Sequence, residues 1–155
     1  MNLTARDIID ELNDLTEACK DRQYGFSLCA EHAQAPALRA LFGERALDCS
    51  RAAAELQAMV AQLGGEPETG GSLASTASRG WTSLRNALVG AEDLTLLDEC
   101  EHAEDKALAG YRQALKEAFP TRVLALLERQ ERETRQHHDS LRAERDRLRL
   151  AASGA

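Results

Sequence analysis

Glu99 and His102 stand three residues apart in the run Glu99-Cys100-Glu101-His102. On a helix, that spacing met by carboxylates from facing helices is how four-helix bundles hold pairs of iron or manganese ions. Carboxylate oxygen and imidazole nitrogen together suit such cations. Thr134-Arg135-Gln136-His137 repeats the spacing, with threonine where a metal protein would carry glutamate. Glu17 and Tyr24, seven residues apart, form a further carboxylate–phenol pair. Whether any of these groups can meet depends on which face of its helix each one occupies.

Four long stretches carry apolar residues at about 100° per residue. The first runs from about Thr4 to Gln34, with Ile8, Leu12, Leu15, Cys19, Phe26, Cys29 and Ala33 on one face. Thr4 and Asp7 have capping-box spacing, with Asp in place of the usual Glu or Gln. The second runs from Pro36 to about Leu63 on Leu38, Leu41, Phe42, Cys49, Ala52, Leu56, Met59 and Leu63, and Gly64 is placed to close it. The third, about Asp93 to Phe119, aligns Leu97, Cys100, Ala107, Tyr111, Ala114, Leu115 and Ala118. The fourth, about Thr121 to Leu150, turns Val123, Leu127, Gln130, Thr134, His137, Leu141 and Leu148 inward. Residues 151–155 read as a frayed tail, so residues 1–150 are expected to form one domain.

Between the second and third stretches lies Gly64-Gly65-Glu66-Pro67-Glu68-Thr69-Gly70-Gly71-Ser72. A shorter amphipathic segment follows, about Ser72 to Val89, with Leu73, Ala77, Trp81, Leu84 and Leu88 aligned. A helix of about 18 residues spans roughly 27 Å, nearly the length of the bundle. The short links elsewhere make antiparallel pairs of the first and second helices and of the third and fourth. The expected fold is all-α: a ferritin-like, up-down-down-up four-helix bundle with a short fifth helix in the crossover between helices 2 and 3. A stack of helices without that return is the alternative.

On these wheels most acids face water. Cys100 lies on the buried stripe, which turns Glu99 and His102 outward. Only Glu104 falls within roughly 45° of a core centre. Glu44, Asp48 and Glu55 point out, while Arg45 and Cys49 point in. Glu17 and Tyr24 fall opposite the apolar stripe. One carboxylate cannot bind two irons, so no metal site is assigned. Arg45, Glu104 and His137 fall at similar heights, with Arg22 and Gln23 nearby. The expectation is a buried network of Arg45, Glu104, Tyr111, Gln130, His137 and His138, with Arg45 and Glu104 paired, since a buried carboxylate is tolerable only when paired. The competing reading is that these side chains snorkel to the edges. Arg142 to Arg149 alternates in sign and reads as a solvated face.

Composition narrows the classes further. Hydrophobic residues make up 43% but aromatics only 4%, which suits helices packed through Leu and Ala. A net charge of −7 argues against general nucleic-acid binding. No run of about 18 apolar residues predicts a membrane span, and the N-terminus lacks a signal-peptide core. The four cysteines lie on inward stripes without CxxC spacing and read as reduced core residues in a cytoplasmic protein. Cys19 with Cys49, and Cys29 with Cys100, are the pairs that could approach one another.

Several pieces resemble a bacterial ferritin-like four-helix-bundle domain family of unknown function. They are Leu12-Asn13-Asp14-Leu15, Gly25-Phe26, Ala53-Ala54-Glu55-Leu56, Leu63-Gly64-Gly65-Glu66-Pro67, Arg79-Gly80-Trp81, Glu99-Cys100-Glu101 with Glu104-Asp105, and His138-Asp139. The resemblance covers nearly the whole chain and implies the crossover bundle and a distant kinship with bacterioferritin and rubrerythrin. His102-Ala103 stands where the family pattern suggests a basic residue and glycine. The leading expectation is a non-catalytic bundle protein without cofactor, stress-related by kinship, and a homodimer. A second reading is a di-iron or di-manganese oxidoreductase or iron-handling protein using Glu104 with His137 or His138. A third is an adaptor that binds another protein.

Overall fold

The computed structural model describes residues 3–69 and 85–154. Among the described residues four long helices carry the structure: α1 (Ala5–His32), α2 (Pro36–Gln62), α3 (Asp93–Ala114) and α4 (Thr121–Ser153). The crossover helix expected over 72–89 lies outside the described residues except for its last turn, 85–88, which is helical. That turn sends Leu88 into the core.

The helix ends follow from local chemistry. Thr4 and Asp7 close the capping box, each backbone N–H donating to the other's side-chain oxygen at 3.0 and 3.1 Å. α2 begins on Pro36, whose missing N–H costs nothing in a first turn. It ends in a Schellman motif, with Gly65 N–H donating to the Val60 carbonyl and Gly64 N–H to the Ala61 carbonyl. Gly64 sits at φ 83°, the left-handed region where a Cβ is strained. Gly64→Ala is expected to cost about 1–2 kcal/mol, read as a lower urea midpoint at unchanged slope. Asn13 then pins the outgoing chain, donating to the Glu66 carbonyl at 3.1 Å and accepting from the Glu68 N–H at 2.9 Å.

α3 stops at Ala114 rather than near Phe119. Pro120 keeps the residue before it out of helical geometry, and the chain unwinds so that Phe119 docks in the core while Ala118 is exposed. α4 runs three residues beyond the expected Leu150. In α2 the buried residues beyond Cys49 are Ala53, Leu56 and Val60, with Ala52, Met59 and Leu63 only half-buried.

Cross-helix contacts fix the topology. Arg22 meets Glu104 while Cys29 meets Cys100, so α1 and α3 run antiparallel. Arg129 meets Glu55 while His137 meets Asp48, so α2 and α4 run antiparallel as well. With α1 and α2 joined by a tight turn, α2 and α3 run parallel. The order is up-down-down-up. Asp93, at the start of α3, accepts from the backbone N–H groups of Gln34 and Ala35 and ties the crossover to the first turn.

Among the described residues the apolar core falls into two clusters. One gathers Phe26, Leu38, Phe42, Leu96, Leu97 and Leu141 at the end where α1 meets α2. The other gathers Leu12, Leu15, Leu56, Val60, Val123 and Leu127 at the opposite end. Among the described residues no helix is long and apolar enough to cross a membrane.

Candidate functional site

A layer of polar side chains separates the two apolar clusters. Its centre is Glu104, 1% exposed, which accepts a 3.0 Å hydrogen bond from Nη1 of Arg22. α3 presents Glu104 because Cys100, Ala107 and Leu108 hold that face against the core. Arg22 lies one turn beyond Cys19 on the buried face of α1, where Nη2 also reaches the Cys19 sulfur at 3.5 Å. The pair is single-pronged: Glu104 Oε1 and Arg22 Nε have no hydrogen-bond partner. Burial pushes the Glu104 carboxyl above its usual range, and Arg22 opposes that shift. Arginine keeps its proton in any protein setting, so its charge must be answered here.

From Arg22 a string of polar contacts leads outward. Cys19 Sγ lies 3.6 Å from the Tyr111 hydroxyl, which donates to Gln130 Oε1 at 2.9 Å. Gln130 Nε2 donates to the Ala52 carbonyl at 3.2 Å and to Glu55 Oε1 at 3.1 Å, and Glu55 pairs with Arg129 at the surface. Thr134, one turn along, gives its hydroxyl to the Gln130 carbonyl. A cleft of about 340 Å³ opens between α2 and α4 over this string, with Arg22 and Cys49 at its floor and Glu55, Gln130, Thr134 and His137 on its walls. Burial raises the Cys49 thiol to about 12 despite the nearby Arg22, so it is no nucleophile at neutral pH. Burial, with help from Arg45, holds His137 below its usual range.

The residues expected in the buried network divide. Glu104, Tyr111, Gln130 and His138 are buried in the interior. Arg45 does not pair with Glu104; it turns along α2 to Asp48 at 3.0 Å and Glu44 at 3.7 Å. Arg22 takes the partner expected for Arg45 because it enters from the facing, antiparallel helix, whereas Arg45 has acids of its own within one turn. His137 is half-buried on the cleft wall, 3.5 Å from Asp48. Cys29 and Cys100 do approach, with sulfurs 3.3 Å apart as free thiols.

These residues do not fit a pair of metal ions at mid-bundle. Such centres need several carboxylates facing one another. Here the central carboxylate is matched by a fixed guanidinium, threonine stands in the inward Thr134-x-x-His137 pair, and the facing position on α2 is the thiol of Cys49.

A second charged group sits between α3 and α4, and of its members only His138 belongs to the expected network. Glu101 is 5% exposed and is held by Arg142 Nε at 3.1 Å and by Arg145. His138 lies beside it, with Nε2 2.7 Å from Asp105 Oδ1 and 3.6 Å from Glu101 Oε1. The alternating charges of α4 therefore do not all face water, since Arg145 is 18% exposed. Glu131, 8% exposed, is likewise covered, by Arg112 and Arg135. The available signal was the i, i+4 pair Glu101 and Asp105 opposite a histidine and two arginines on the next helix.

The fold has a known counterpart. A dodecameric thioferritin, the bacterioferritin-related protein from Bacteroides fragilis, superposes with a TM-score of 0.70 at 14% sequence identity, over 97% of this chain and 92% of that one. At that identity the likeness is one of fold. No curated protein matches the chain. The model of the family described as a domain of unknown function, DUF2383, matches residues 7–117, and the chain belongs to that family.

Proposed function

We propose that residues 1–150 act as one ferritin-related, non-catalytic unit in which a buried polar network stands in place of a di-metal centre. The Arg22–Glu104 pair carries this reading, because it sets a fixed cation at mid-bundle against the buried Glu104 carboxylate. The string through Tyr111 and Gln130 to the cleft supports it, since those donors and acceptors are engaged with one another. Self-association is part of the same reading, by analogy with the dodecameric relative. Aerobic addition of Fe²⁺ tests the central claim. The expected result is oxidation no faster than in buffer and no absorption from an oxo-bridged iron pair. Two irons per chain with accelerated oxidation would overturn it.

A further inference from the structure

We infer that Glu101, Asp105 and His138 form a mononuclear site for a first-row divalent cation, at the α3–α4 seam beside the mid-bundle layer. Among the described residues these three offer ligand atoms that all lie within 4.8 Å of one another. His138 supplies the independent pointer. Its side chain is 7% exposed, yet Nε2 is a buried nitrogen without a hydrogen-bond partner, aimed between two carboxylates. Asp105 Oδ1 lies 2.7 Å away without making a hydrogen bond to it.

The distances suit a shared cation. Ligand atoms about 2.1 Å from one metal lie about 3.0–3.4 Å apart, depending on whether the angle is octahedral or tetrahedral. The two contacts of Nε2, 2.7 and 3.6 Å, bracket that range, and the ligand atoms of the two carboxylates lie within 4.8 Å of each other. The surroundings orient the ligands. Asp139 Oδ1 lies 3.2 Å from His138 Nδ1 and favours the tautomer whose free lone pair is on Nε2. Arg142 and Arg145 fix Glu101 in place. Asp105 is 54% exposed, which gives a cation its way in and leaves further positions to water. One imidazole with two carboxylates suits Zn²⁺, Mn²⁺ or Fe²⁺ better than Mg²⁺. The two arginines weaken Glu101 as a donor, so affinity should fall below that of a closed structural zinc site.

The test is calorimetric titration of the chelator-treated chain with Zn²⁺, repeated with Mn²⁺. The expected result is one Zn²⁺ per chain, with affinity reduced by at least about 10–100-fold in Asp105→Asn and in His138→Gln. His102→Gln, an exposed histidine on the same helix as Asp105, should bind as the parent does. Asp105 lies at the surface, so its variant keeps the test open if His138→Gln does not fold. No saturable binding of Zn²⁺ or Mn²⁺ up to about millimolar metal, or binding that survives Asp105→Asn unchanged, would overturn the site. A single bound ion that is not oxidised leaves the non-catalytic reading intact, so the two proposals fail separately.

Discussion

Glu104→Ala is expected to lower folding stability by about 3–5 kcal/mol, because it leaves the Arg22 guanidinium buried and unanswered. In a chain of this size that corresponds to a melting temperature lower by roughly 10 °C. The cost comes from the stranded partner and not from the worth of the pair. Removing both charges together, as in Arg22→Met with Glu104→Leu, should therefore be neutral or stabilising by about 1–4 kcal/mol. Urea unfolding of the parent, the single variant and the double variant separates these cases. A Glu104→Ala protein that melts with the parent would show that the Arg22 charge is not confined to the interior. Because Arg45 already has Asp48 and Glu44, Arg45→Ala should cost far less than Arg22→Ala.

Phe42→Ala should cost a similar amount, about 3–5 kcal/mol, by another mechanism. Phe42 is fully buried, packed with Phe26, Leu38, Leu96 and Leu97 at the closed end of the bundle. The whole chain has only three phenylalanines, so few large side chains could swing in to refill the gap. Loss of the ring removes its transfer energy and leaves a cavity that neighbours on four helices cannot collapse around. Leu47, five residues on and 58% exposed, provides the contrast: Leu47→Ala should stay within about ±0.5 kcal/mol. Equal losses at the two positions would mean that packing at this end is looser than the structure describes.

Where apolar residues recur without interruption, the sequence conveyed the helix phase. Ile8, Leu12, Leu15, Cys19, Phe26, Cys29 and Ala33 all lie in the core. In α2 the run Ala52-Ala53-Ala54 weakens the signal, since three equivalent small residues do not say which one faces in. The observed interior there runs through Ala53, Leu56 and Val60. The capping box at Thr4 and the glycines after α2 were legible because their chemistry is local. Partner choice was not. Arg22 and Arg45 lie at similar heights, and only the crossing of α1 over α3 decides which reaches Glu104. Glu101 was the plainest miss. It flanks the buried stripe beside Cys100 and reads as solvated until Arg142 and Arg145 arrive from α4 to cover it. Acids buried by a neighbouring helix leave no mark in the periodicity of their own.

The mid-bundle charges also act as a register lock. Leu and Ala surfaces are forgiving: one helix could slide along another by a turn, about 5.4 Å, and still find apolar contacts. In this molecule such a slip between α1 and α3 would carry the guanidinium into one greasy cluster and leave the carboxylate facing the other. That penalty singles out one alignment of the rods from its near neighbours, in the way a lone polar residue sets the stagger of a coiled coil.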